Sequence, residues 1–133
     1  MNKKLLVTAT LLGVIGVILG AFAAHGLKPK ISEESLRVFE TGVRYQMYHA
    51  LFLLIIGTTD LIDSKSKKVL FYLILAGVIL FSGSIYGLAT NELSTFDFKI
   101  IGFITPIGGL FLISAWLLLL IKFLKNKLDI SKN

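Results

Sequence analysis

The sequence predicts an all-α integral membrane protein: a bundle of four transmembrane helices, with an amphipathic helix before the second span. Three observations predict it. Hydrophobic residues make up 55% of the 133 residues and charged residues only 17%, against about a quarter in soluble domains. Mean hydropathy is +0.81, more apolar side chain than the surface of a small soluble protein hides. The apolar residues fall in long uncharged runs with lysines at their ends. That placement assigns the +6 net charge to membrane orientation and not to a nucleic-acid patch. One domain accounts for residues 1–133.

The first span is Leu5–Ala24, 20 residues without a charge. A helix rises about 1.5 Å per residue, so about 20 residues cross the hydrocarbon. Tyr45–Thr59 is apolar and Asp60 closes it; it reaches spanning length when drawn over about 43–62. The third span is Val69–Ala89, with 21 residues, and the fourth is Ile100–Ile121, with 22 residues between Lys99 and Lys122. Helices are the form that satisfies every backbone group within the segment. The runs also lack the alternation of a membrane barrel strand.

Between the first two spans, Gly26 and Pro29 read as a helix stop. Ser32 reads as an N-cap, with Glu33 and Glu34 in the first turn. Over 32–43, Glu33, Arg37, Glu40 and Arg44 share one stripe while Leu36, Phe39 and Val43 share another, the pattern of an amphipathic helix. It is expected to run into the second span, with a bend at Gly42.

Lys3, Lys4, Lys65, Lys67, Lys68, Lys122, Lys125, Lys127 and Lys132 fall on one side, nine in all, against Lys28, Lys30, Arg37, Arg44 and Lys99, five, on the other. The excess predicts cytoplasmic N- and C-termini in the inner (cell) membrane. Ala21-Phe22-Ala23 resembles a signal-peptidase site. The apolar core of a signal peptide is about 7–15 residues; this run has 20 and further spans follow. The small residues are therefore expected to serve packing at a helix end.

Chemistry has few places to sit. There is no cysteine and no H-E-x-x-H spacing, so neither a metal site nor a cofactor is expected. His25 is expected to cap helix-end carbonyls and His49 to make an interhelical hydrogen bond. The candidate polar site comprises His25, Glu40, Arg44, Tyr45, Gln46, Tyr48 and His49. Two readings of it stay open: interfacial side chains facing water and headgroups, or a site for a lipid headgroup or small ion around Arg44, Tyr48 and His25. Gly16-x3-Gly20 and Gly83-x3-Gly87 read as close-packing motifs, with Ser82 and Ser84 as hydrogen-bonding neighbours. In "TPIGG", Pro106 removes a donor, so the fourth span is expected to kink beside Gly108 and Gly109. No G-x-S-x-G, P-loop or dinucleotide pattern is present, and the chain is expected not to be an enzyme.

Four stretches, "GAFAAHGL", "FETGVRYQMYHAL", "LFSGSIYGLA" and "IGFITPIGGLFLISAW", resemble the small bacterial membrane-protein family catalogued as domain of unknown function 423 (UPF0382). Its animal relatives are called transmembrane protein 256. The resemblance implies four transmembrane helices and no established reaction. It singles out Gly20, Ala21, His25, Gly26, Thr41, Gly42, Tyr45, Gln46 and His49, then Ser82, Gly83, Ser84, Tyr86, Thr105, Pro106, Gly108 and Gly109. Members typically carry "GAFGAHGL", where Ala24 stands here. The polar linker 91–98 is longer than the family's tight turn.

The function expected is a non-enzymatic membrane protein that supports membrane integrity or assembly. Its partners are the lipid bilayer and, through the Gly-x3-Gly faces, a second copy; no nucleic acid is expected. The alternative is a small transporter or channel subunit with a polar site near His49 and Pro106.

Overall fold

A computed structural model describes residues 1–94, 97 and 101–126. It is built from α1 (Asn2–Phe22), prolonged by a π-helical turn (Ala23–Leu27), α2 (Glu33–Thr58), α3 (Ser64–Ala89), a 3-10 turn (Asn91–Leu93) and α4 (Ile104–Lys125).

The element bounds differ from the expected ones for local reasons. α1 takes in Lys3 and Lys4, and Gly26 lies within the π turn; the chain leaves at Leu27, whose carbonyl accepts from the N–H groups of Lys30 and Ile31. The amphipathic helix runs on into the second apolar segment as expected, as one unbroken helix of 26 residues through Gly42. Ser32 caps it, accepting from the Ser35 N–H at 3.1 Å, and nothing at Gly42 interrupts the ladder. It stops at Thr58, short of Ile62, where Thr59 turns extended. α3 begins at Ser64, five residues ahead of Val69, because Asp63 caps it through the Ser66 N–H at 3.0 Å and the Ser66 hydroxyl at 2.7 Å. The start expected for the fourth span, Ile100, lies outside the described residues.

Pro106 is the third residue of α4. The expected kink is absent at this position, because the first four N–H groups of a helix have no intrahelical acceptor and a proline there costs no hydrogen bond.

α1 packs on α2, α2 on α3, and α3 on α4. A shared core joins Leu5 and Ala9 to Leu53, Ile56, Ile74 and Ala115, and a smaller cluster of Ala23, Leu27, Phe39 and Ala89 fills the other end. α3 is the inner apolar helix, 44% buried over its most apolar stretch against 17% for α1 and 22% for α4. α1 with its π turn, α3 and α4 are each long and apolar enough to cross a membrane. α2 has the length of α3 but carries Glu33, Glu34, Arg37, Glu40 and Arg44 in its first half.

Gly108 sets the α3–α4 distance. A Cβ there would lie against the Phe81 backbone nitrogen and 2.8 Å from its Cα, so only glycine lets the two backbones come this close.

One end of the bundle gathers the lysines. Lys67 is 4% exposed and donates from Nζ to Asn2 Oδ1 at 3.0 Å and to the Thr59 carbonyl at 2.6 Å. Lys122 pairs with Asp63 at 3.3 Å, and Asn126 donates to the Leu61 carbonyl at 2.8 Å. These contacts bring the start of α1, the α2–α3 loop and the end of α4 together. At the other end, the Ser35 hydroxyl donates to Glu92 at 2.9 Å.

Candidate functional site

The polar side chains of the bundle centre on α2. Gly42, Gln46 and His49 recur at helical spacing and are buried, which places them on the face turned to the other helices. Gln46, 3% exposed, joins three helices: its Nε2 donates to the Leu12 carbonyl of α1 at 2.8 Å, and its Oε1 accepts from the Tyr86 hydroxyl of α3 at 2.7 Å. Ser82 donates to the Gly42 carbonyl at 2.7 Å. That contact needs a bare backbone at residue 42, where a Cβ would come within 2.8 Å of the Tyr86 ring. Ser84 and Thr105 hydrogen-bond to each other between α3 and α4.

His49, also 3% exposed, has both ring nitrogens engaged. Nδ1 lies 2.6 Å from the Tyr45 carbonyl, and Nε2 lies 3.1 Å from Trp116 Nε1 of α4. An indole N–H only donates, so His49 Nε2 is an acceptor and the proton sits on Nδ1, donated to the Tyr45 carbonyl. This is the neutral imidazole in one defined tautomer. Trp116 also packs edge-on against Phe52, with ring centroids 4.7 Å apart.

Beside this pair, an open cleft of about 290 Å³ is lined by Tyr45, His49, Phe81, Gly109, Leu112, Ile113 and Trp116. A separate, smaller hollow of about 140 Å³ also touches Trp116 and is lined by Tyr48, Leu51, Phe52, Ile55 and Leu119. Trp116 borders both.

The remaining candidates lie elsewhere. His25 is exposed in the π turn, and among the described residues it accepts or donates no hydrogen bond, so the expected cap is not formed. A Cβ on Gly20 would lie 3.6 Å from the Val43 side chain, which puts His25 roughly level with Val38 on the antiparallel helix; His49 is then about 16 Å further along the axis. The two histidines do not share a pocket. Arg44 is exposed and donates to Thr41 Oγ1 at 2.9 Å. Among the described residues it forms no ion pair with Glu40, because Lys122–Asp63 is the pair that meets the distance. Tyr45 and Tyr48 are exposed, their rings 5.7 Å apart. Pro106 lies ten residues before Trp116, about 15 Å along α4, so no single polar site joins it to His49.

Of the packing candidates, Gly16 faces Met47 and Gln46, Gly108 faces α3, and a Cβ on Gly109 would lie 3.7 Å from the Phe81 ring. Gly87 is half-buried. Gly83 differs: it is exposed, with nothing within 4 Å of a Cβ placed there, so within the chain it is not a packing contact. At the loop, the Asp63 carboxyl is held well below the usual carboxylate range, first by the Ser66 hydroxyl, then by the Ser66 N–H and by Lys122.

Trp116, Tyr86 and Lys67 were not among the polar-site candidates that residue types suggest. A signal for the first was present: one tryptophan in the chain, inside an apolar run, brings an N–H that needs an acceptor. Among the described residues no three of the His, Asp and Glu side chains come together as metal ligands.

Comparison with known proteins agrees with the membrane character. Residues 19–109 match the family described as "Protein of unknown function (DUF423)". A "UPF0382 membrane protein" of Staphylococcus haemolyticus is 42% identical over 123 residues, covering 92% of this chain and 97% of the relative. The UPF0382 membrane protein YwdK of Bacillus subtilis is 38% identical, covering 92% and 98%. A UPF0382 membrane protein of Haemophilus influenzae is 37% identical, covering 96% and 98%. No solved structure matches. The matched stretch and the relatives' near-complete coverage place this chain in the DUF423 (UPF0382) family of membrane proteins.

Proposed function

We propose that all four long helices cross the cell membrane, with both termini cytoplasmic, and that the protein is a non-enzymatic membrane component acting through assembly and membrane integrity. One observation carries the non-catalytic reading. Among the described residues, every buried side-chain nitrogen or oxygen has a hydrogen-bond partner, and those partners lie mostly on neighbouring helices. Polar groups committed pairwise between helices hold a bundle together. Among the described residues they leave no convergent acid and base, and no chain of free donors and acceptors along which an ion could pass.

Support for α2 as a span comes from its neighbours. Along its length it meets Gly16 of α1, Leu5 and Leu6 near Gly57, and Ile85 and Tyr86 of α3, so it runs beside the apolar helices from end to end. An even number of spans returns the chain to the side where it began, in keeping with the gathering of Asn2, Lys67, Lys122 and Asn126 at one end. The lysines at that end support a cytoplasmic placement.

Reporter fusions at residue 60, at residue 91 and at both ends test the topology: the first and both ends should report the cytoplasm, and the second the opposite side. Crosslinking in native membranes tests assembly. Capture of no second copy and no membrane partner, with ion or solute flux in proteoliposomes, would replace this reading with the transporter-subunit one.

A further inference from the structure

The α2 face that carries Tyr48, Leu51 and Ile55 beside Trp116 also carries Arg44, which forms no ion pair among the described residues. The Gly42 carbonyl is bonded by Ser82, seven residues before the end of α3. Arg44 lies two residues deeper on the antiparallel helix, so its Cα is about 13 Å inside the end of that apolar helix. Arg44 is exposed; its Nη2 donates to Thr41, and its other donors have no partner among the described residues. A guanidinium rooted this deep in a lipid-facing surface needs a polar group drawn down to it. This depth rests on the proposal that α2 spans.

Glu40 stands four residues outward from Arg44 on the same face, about 6 Å nearer the surface, and is half-buried. A positive charge below and a negative charge above match a zwitterionic headgroup, whose phosphate lies deeper than its amine. Below Arg44 on the same face of α2, Tyr48, Leu51 and Ile55 line the smaller hollow, which reaches Trp116 and Leu119. Leu51 is seven residues, about 10 Å, below Arg44, which puts the hollow where the upper part of an acyl chain would run.

We infer that this face binds one aminophospholipid of the non-cytoplasmic leaflet, its phosphate on Arg44, its ammonium towards Glu40 and one acyl chain in the hollow against Trp116. Arginine suits the phosphate because its planar fork offers paired donors. The Thr41 hydroxyl, bonded to the guanidinium, fixes the direction in which that fork points.

Trp116 is the one tryptophan in the chain and so reports directly on the hollow it lines. The full chain is reconstituted in vesicles doped with phospholipids brominated near the middle of the acyl chain, bearing ethanolamine, glycerol or choline headgroups. Quenching of Trp116 at low mole fraction should favour the ethanolamine lipid over the glycerol lipid by about fivefold, the effect of one well-placed charge contact. Arg44→Gln should reduce quenching by both. Glu40→Gln should lower the ethanolamine lipid to the level of the glycerol lipid and leave the latter unchanged. Equal quenching by the three headgroups, preference for the glycerol lipid, or an unaltered preference in both variants overturns the site. An unshifted Trp116 emission maximum verifies that each variant keeps its bundle. The residue-60 and residue-91 fusions report separately whether α2 spans, so a flat lipid response with α2 across the membrane refutes the lipid site alone.

Discussion

At the scale of single residues, the contact between His49 and Trp116 is the one polar bridge between α2 and α4 among the described residues. Interhelical hydrogen bonds of this kind average about 0.6 kcal/mol and reach about 1.7 kcal/mol in membrane proteins. Trp116→Phe keeps the ring packing on Phe52 and removes the donor. A double-mutant cycle of Trp116→Phe with His49→Phe, read by unfolding in detergent, should give a coupling in that range; a coupling of zero would deny the bond. Asp63 acts at the loop. Its carboxylate is held below the usual range when folded, so its contribution to stability is present above the unfolded carboxylate pKa. That contribution is lost as pH falls below about 4 towards the folded value. Asp63→Asn should make stability less sensitive to pH across that acid window, and an unchanged slope would count against the cap. These pairings were only partly legible in the sequence. The i,i+4 relation of Tyr45 and His49 follows from helical spacing. The union of His49 with a tryptophan 67 residues away depends on how three helices stack, and no local pattern encodes it.

At the scale of elements, two glycines that look alike in sequence behave differently. Gly108 lies against the backbone of α3, whereas Gly83 has open space around it. Gly108→Leu should therefore destabilise the α3–α4 pair by about 1–3 kcal/mol or more, while Gly83→Leu should stay within about 0.5 kcal/mol, both measured by chemical unfolding in detergent. If the costs were equal, the close approach would be wrong. Pro106 belongs at this scale too. In the first turn of α4 it is compatible with the helix, so Pro106→Ala should cost no more than about 1 kcal/mol. A sequence window containing "TPIGG" suggests a kink because it does not show where the helix begins. The bend expected at Gly42 is a related case. Gly42 suggests a bend on propensity alone, but α2 runs through it as one unbroken helix, with Ser82 donating to its carbonyl.

At the scale of the whole molecule, the lysine-rich end is tied by side chains from three elements. Lys67 reaches both α1 and the end of α2. Its ammonium meets the carbonyl of Thr59, the residue just past the end of α2, near the helix end where the dipole favours a cation. Lys67→Met would leave the Thr59 carbonyl and Asn2 without that donor. A loss of about 1.5–3 kcal/mol is expected for hydrogen bonds from a charged group, seen as a lower melting temperature in detergent; an unchanged melting temperature would show that the tie is dispensable. Lys67 was legible only as one of several flanking positive charges, since its burial depends on α1 and α2 closing over it.

By itself the sequence determined that the chain is helical, apolar enough for membranes and a member of one family. Those properties depend on run length, charge placement and ordered motifs, all of which are local or linear. Only the tertiary structure decided which polar residues meet. It separated His25 from His49, paired His49 with Trp116, and turned Gly16 and Gly108 inward but Gly83 outward. The physical reason is that helical periodicity fixes which residues share a face, while the rotation and depth of each helix against its neighbours fix what that face touches.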